Sequence, residues 1–177
     1  MVNNITKKPL KQNNKMTELQ IKRDAIFDKD KNHRYILTRI WNENKPFVMF
    51  IGLNPSTANA TEDDPTIRSV QRIANKNGFG GIYMVNCFPY ISTNPKEMKQ
   101  CSEQDIVIND KFILNAKSNC LEVVFAWGNF EIVKSLNRDK SLIELLGVAK
   151  CLGQNKNGSP KHPLYIKSET KFIDFKL

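Results

Sequence analysis

Three short apolar runs constrain this chain more than any other feature. FVMFIGL (Phe47–Leu53), GIYMVNCF (Gly81–Phe88) and LEVVFAWG (Leu121–Gly128) are nearly unbroken hydrophobic stretches of strand length. A strand with one wet face alternates apolar and polar residues. An unbroken run reads instead as a strand buried on both faces, the situation of a parallel sheet covered by helices on each side. The segments between the runs have helical character. Asp64-Pro65-Thr66 is a helix start, with Asp64 at the N-cap and Pro65 at the first helical position, and Ile67, Val70, Ile73 and Ala74 share one face before Gly78 and Gly80 stop the helix. Ser102 to Lys117 reads as a second helix, with Ser102 as cap and Asp105 three residues on, a capping-box variant. Asn129 to Gly147 reads as a third, and VAKCLG (Val148–Gly153) as a short fourth strand. This alternation predicts an α/β fold: three α/β/α layers on a short central parallel sheet of about four strands. Upstream, RYILTRIW (Arg34–Trp41) after the turn residues DKDKN predicts an N-terminal β-hairpin.

The 177 residues suit one domain. Residues 1–16, Asn- and Lys-rich, read as a disordered tail, leaving 17–177 as the folded unit. No apolar run approaches the roughly 18 residues of a membrane span, and the N-terminus lacks a signal-peptide core, so the expectation is a cytoplasmic monomer without a membrane partner. The net charge of +9 is uneven: residues 1–45 carry +6, 46–133 carry −2 and 134–177 carry +5. Basic ends around a mildly acidic middle point to a polyanion partner, DNA first. The four cysteines, Cys87, Cys101, Cys120 and Cys151, form no CxxC and lie in no metal-ligand spacing with His, so they read as buried free thiols, with no metal site. No P-loop or GxGxxG motif suggests a cofactor.

In an open parallel sheet, ligands bind outside the carboxyl ends of the strands. The loops that begin there carry Asn54-Pro55-Ser56-Thr57, Asn86, Trp127-Gly128 and His162-Pro163-Leu164, polar or aromatic groups where a neutral connector would serve.

These landmarks carry two resemblances. From about Arg34 to Tyr165, the motifs NPST, DDPT, AWG and HPL resemble domain-of-unknown-function family 1643. More loosely, Gly52-Leu53-Asn54-Pro55, Asn86 at the end of the second strand, Trp127-Gly128 after the third and His162-Pro163 after the fourth resemble, in order, the landmarks of the uracil-DNA glycosylase superfamily. GLNP is similar to the loop of its mismatch-specific and thymine-DNA branch. That resemblance implies a DNA glycosylase that flips a base out of the duplex and hydrolyses its N-glycosidic bond. It implies catalytic roles for Asn54, at the attacking water, and His162, at the leaving base, with Asp63 or Asp64 able to supply the carboxylate that Asn54 lacks. It implies base contacts from Asn86, Ser56 and Trp127. DNA contacts would come from backbone around Pro55–Thr57 and Gly158–His162, hence Thr57 and Ser159, from Lys156 and Lys161, and from Leu164 as a wedge in the base stack. Ser56 stands where uracil-specific enzymes have a Tyr that blocks C5, so the resemblance implies a C5-modified pyrimidine, hydroxymethylated or glucosylated, and a defence role against phage. The alternatives are a non-catalytic nucleic-acid-binding module on the same scaffold and, more weakly, a nucleosidase acting on free nucleotides.

Overall fold

The computed structural model describes residues 21–176, and the tail expected over 1–16 lies outside them. The strands are β1 (Lys22–Phe27), β2 (Arg34–Ile40), β3 (Phe47–Gly52), β4 (Gly81–Asn86), β5 (Glu122–Phe125), β6 (Lys150–Cys151) and β7 (Ile173–Asp174). The helices are α1 (Pro65–Lys76), α2 (Glu103–Ser118), α3 (Glu131–Ser135) and α4 (Arg138–Leu146), with a 3₁₀ turn at Pro95–Gln100.

All seven strands join one sheet in the order β1-β2-β4-β3-β5-β6-β7. β3 pairs parallel with β4 and β5, and β5 pairs parallel with β6. The sheet is nevertheless larger and more mixed than the expected four parallel strands. The hairpin is part of it, since β2 pairs antiparallel with β4 from Leu37↔Met84 to Ile40↔Gly81. β7 adds a further antiparallel edge beside β6. The pairing of a hairpin with a strand more than 40 residues away leaves no local trace in the sequence.

The apolar runs are unbroken because both faces of the sheet are covered. Val48 and Phe50 of β3, Ile82 and Met84 of β4, and Val124 of β5 pack with Ile67, Val70, Ile73 and Ala74 of α1. The intervening residues Met49, Ile51, Val85, Val123 and Phe125 pack on the other face, with Ile113 and Ala116 of α2 and Val133, Leu142 and Leu146 of α3 and α4. The capping chemistry is as expected: Asp64 accepts from the Ile67 amide, and Ser102 and Asp105 form a reciprocal capping box. The helix expected over Asn129–Gly147 is two helices. Asn137 adopts a left-handed conformation (φ +53°), which ends one and starts the next. The cysteines are all free, but only Cys87 and Cys151 are fully buried.

The chain leaves β3 through α1 to reach β4, then crosses back through α2 on the opposite face to reach β5 on β3's other side. That reversal opens a crevice at the carboxyl end of β3.

Candidate functional site

Gly52, the last residue of β3, lies beside Asn86, the last of β4. The segments that follow are zipped together: the amides of Cys87, Phe88 and Ser92 donate to the carbonyls of Gly52 (2.9 Å), Leu53 (3.0 Å) and Pro55 (3.1 Å). Asn54 reinforces the zip. Its Nδ2 donates to the carbonyls of Pro55 (2.9 Å) and Ser92 (2.6 Å), which commits the nitrogen end of the amide. Among the described residues no protein donor reaches its Oδ1.

The rest of the loop is strapped down by two arginines of β2. Arg34 Nη1 donates to the Ala58 carbonyl. Arg39, with no solvent exposure, donates through Nη2 to the Asn59 carbonyl (2.6 Å) and pairs through Nε with Asp63 Oδ1 (2.7 Å). Asp63 also accepts from Arg23 and Gln71, each at 2.9 Å. Burial pushes the Asp63 carboxyl up, but hydrogen bonds from Gln71, Arg39 and Arg23 outweigh it and hold the group below its ordinary value. Asp63 is therefore a structural anchor facing the hairpin and does not line the crevice.

Its neighbour does. A cleft of about 250 Å³ opens at the strand ends, and its lining includes Arg34, Gly52, Asn54, Ser56, Asp64, Asn86, Phe130 and His162. Asp64 both caps the helix and faces the cleft: Oδ1 accepts from the Ile67 amide and Oδ2 from the Ser56 hydroxyl, each at 2.8 Å. Each carboxylate oxygen keeps a second lone pair. Asn86 is 1% exposed, and among the described residues its Nδ2 has no protein partner. Its backbone is fixed from behind: Asn109 of α2 donates to its carbonyl (2.9 Å), and Arg138 Nε of α4 donates to the Cys87 carbonyl (2.8 Å). Gly52 makes room for it, because a Cβ there would come 2.5 Å from Met84 Cε and 2.9 Å from Asn86 Oδ1.

His162 closes the cleft from the loop after β6. Its Nδ1 accepts from the Leu164 amide (3.2 Å), so the neutral ring carries its proton on Nε2. Burial lowers the pKa of the imidazole, and Asp64 only partly offsets this. Near neutral pH the ring is an uncharged N–H donor. Gly128 backs it: its φ of +79° favours glycine, and a Cβ there would meet His162 Cβ at 3.0 Å.

The remaining expected residues lie elsewhere. Trp127 is 2% exposed and packs on Phe125 and Phe175 on the α2–α4 face, so it is a core residue and not a base contact. Strand alternation explains this. Trp127 continues the parity of Val123 and Phe125, whereas Asn86 continues that of Ile82 and Met84 on the α1 face. Ser159 is buried and bonded to Asn155 and Asn157 within its own turn. The amides of Gly158 and Lys161 are spent on the carbonyls of Asn155 and Gly153, and that of Ser159 on Asn157 Oδ1, so this loop does not offer the expected backbone phosphate cradle. Thr57, Lys156 and Lys161 are exposed outside the cleft lining, and Leu164 is half-buried. The side chain that projects from the loop is Tyr165, 94% exposed at a left-handed φ of +67°.

Sequence reasoning missed Arg34, Gly52's spacing role and Phe130. A cation inside the otherwise apolar start of RYIL was the available signal for Arg34. Among the described residues no group of three His, Cys, Asp or Glu side chains is placed to hold a metal ion, and no helix is long and apolar enough to cross a membrane.

A family model described as "Protein of unknown function (DUF1643)" matches residues 34–164, which span β2 to the His162 loop and contain every cleft residue named above. No curated protein and no solved structure matches the chain.

Proposed function

The chain belongs to this DUF1643 family, and from its cleft we propose that it is a DNA glycosylase, a hydrolase that takes a flipped-out, C5-modified pyrimidine and cleaves its N-glycosidic bond to leave an abasic site. One observation carries the reading. Asn54, Ser56, Asp64, Asn86 and His162 come from three separate stretches of sequence and line one cleft at the carboxyl ends of β3 and β4. That grouping fits the glycosylase resemblance at each landmark except Trp127.

The residues divide the work as follows. Asn54 Oδ1 and the free lone pairs of Asp64 hold the attacking water and take up its positive charge as it adds to the sugar's anomeric carbon. Asp64 supplies the basicity that an Asn amide lacks. Asn86 reads the base edge through its amide. The neutral His162 Nε2–H donates to the base oxygen on which negative charge collects as the C–N bond breaks. Ser56, in place of a bulky side chain, leaves room at C5 for a hydroxymethyl or glucosyl group, and excision of such bases from phage DNA would make this a defence enzyme. Among the described residues the amides of Ser56 and Thr57 donate to no protein acceptor and are free for a phosphate, and the exposed Lys156 and Lys161 add positive charge to the loop that carries His162. Tyr165, rather than Leu164, is the side chain exposed enough to fill the gap left by a flipped base.

The test is an abasic-site assay on DNAs containing uracil, a thymine mismatch, 5-hydroxymethylcytosine, 5-hydroxymethyluracil and glucosylated hydroxymethylcytosine, followed by alkaline cleavage. Breaks with one modified base, reduced about 10²–10³-fold in His162→Ala and lost in Asn54→Ala, are expected. No breaks with any substrate, with DNA binding retained, would replace this reading with a binding module.

A further inference from the structure

Among the described residues, two buried hydrogen-bond donors on side chains that line the cleft have no protein partner: Asn86 Nδ2 on a residue 1% exposed, and Arg34 Nε on one 2% exposed. Asn86 already has a role in the reading above. Arg34 does not. It reaches the cleft from the hairpin strand β2, and only Nη1 is used to hold the loop, at the Ala58 carbonyl. A buried, charged donor left without an acceptor is costly, and in a ligand-lined cavity the natural partner is the ligand.

We propose that Arg34 is a specificity residue, whose Nε–H donates to an uncharged acceptor, a carbonyl oxygen or ring nitrogen of a heterocyclic base, bound against Asn86. An Nε–H cannot be turned around as an amide can. A base that presents an N–H at that point meets donor against donor and is rejected, as buried polar groups left unpaired reject an analogue. The acceptor is neutral because a carboxylate, that of Asp64, already lines the same cleft. Arg34 and Asp64 line the same cleft and interact through their charges. A phosphate or carboxylate placed there would meet the Asp64 carboxylate as well. The proposal rests on the reading of the cleft as a base pocket.

The test uses the full chain and three probes: free cytosine, free uracil and inorganic phosphate, each titrated and followed by the chemical shifts of the Asn86 and His162 side chains. The expected result is that at least one base perturbs both residues, that phosphate does not, and that Arg34→Lys, which keeps the charge but loses the Nε–H, weakens that base about 10-fold or more. Arg34→Gln is the second variant. It is expected to narrow the preference between cytosine and uracil, because its amide can offer either a donor or an acceptor. Thermal melts of both unliganded variants identify any that fail to fold. Equal base affinity in wild type and Arg34→Lys, no base binding to the wild type, or inorganic phosphate that shifts the Asn86 side chain would each overturn the proposal. The abasic-site assay separates the two readings. Base excision whose selectivity is unchanged in Arg34→Lys sinks the role of Arg34 and leaves the glycosylase standing. Arg34-dependent base binding without excision from any DNA does the reverse.

Discussion

Asp63 and Asp64 are adjacent and chemically identical, yet Asp63 is bonded to Arg39 and Asp64 lines the cleft, so Asn substitutions at the two positions should separate stability from the proposed activity. Among the described residues Asp63 is the only carboxylate bonded to Arg39, whose side chain has no exposure, and is itself 10% exposed. Breaking a buried pair by removing one partner costs about 3–5 kcal/mol, because the remaining charge is left uncompensated. Arg39 keeps its donations to the carbonyls of Thr38 and Asn59, and the Arg23 contact is partly exposed, so the low end, about 3 kcal/mol, applies to Asp63→Asn. For a chain of this size each kcal/mol moves Tm by about 2–4 °C, which gives a fall of about 6–12 °C. Asn is as good an N-cap as Asp, so Asp64→Asn should shift Tm by less than about 2 °C while abolishing excision. Melts followed by circular dichroism, beside the abasic-site assay, read both. The acid limb adds a second check. Asp63 titrates below its ordinary value of 3.8 in the folded chain, so its contribution is complete above that pH and is lost as pH falls through the folded value. Asp63→Asn should flatten that loss. A melt of Asp63→Asn within about 2 °C of wild type, or a fall in Asp64→Asn as large as that of Asp63→Asn, would refute the division of roles.

Substitutions at four other positions test the site from different sides. His162 has its pKa lowered by burial, so the unfolded chain takes up its proton near 6.5 while the folded chain does not; stability should drop as pH falls from about 6.5 through the folded value, and His162→Gln should remove that slope in urea melts across pH 4–8. Gly52→Ala would drive a Cβ into Met84 Cε and Asn86 Oδ1; the thioether can move aside at a cost of about 1–3 kcal/mol, but the Asn86 amide is displaced, and base binding should fall far more than stability does. Trp127→Ala should cost about 3–5 kcal/mol by denaturant titration, and a second substitution, Trp127→Phe, should leave the preferred base unchanged, in contrast to Ser56→Tyr, which should exclude C5-modified bases.

The sequence alone determined those features that depend on local chemistry. Unbroken apolar runs reported strands buried on two faces, because hydrophobicity is fixed by the residue and both neighbouring layers are apolar. Asp64-Pro65 and Ser102-x-x-Asp105 announced helix starts, because a cap is satisfied within four residues of chain. Asn54 and Asn86 stood out because each interrupts an apolar run where a buried strand ends, and His162 because it is one of only two histidines in the chain. What required tertiary structure was everything set by distance through space. The hairpin joined the main sheet beside β4 because strand pairing joins segments that share no local signal. Trp127 and Asn86 took opposite faces through strand parity, which sent one to the core and the other to the cleft. Asp63 and Asp64 parted because Arg39, from a strand more than 20 residues away, claimed one of them. Arg34 entered the cleft only because β2 lies against β4. Local chemistry names the groups that can react, and the register of a non-local sheet decides which of them meet.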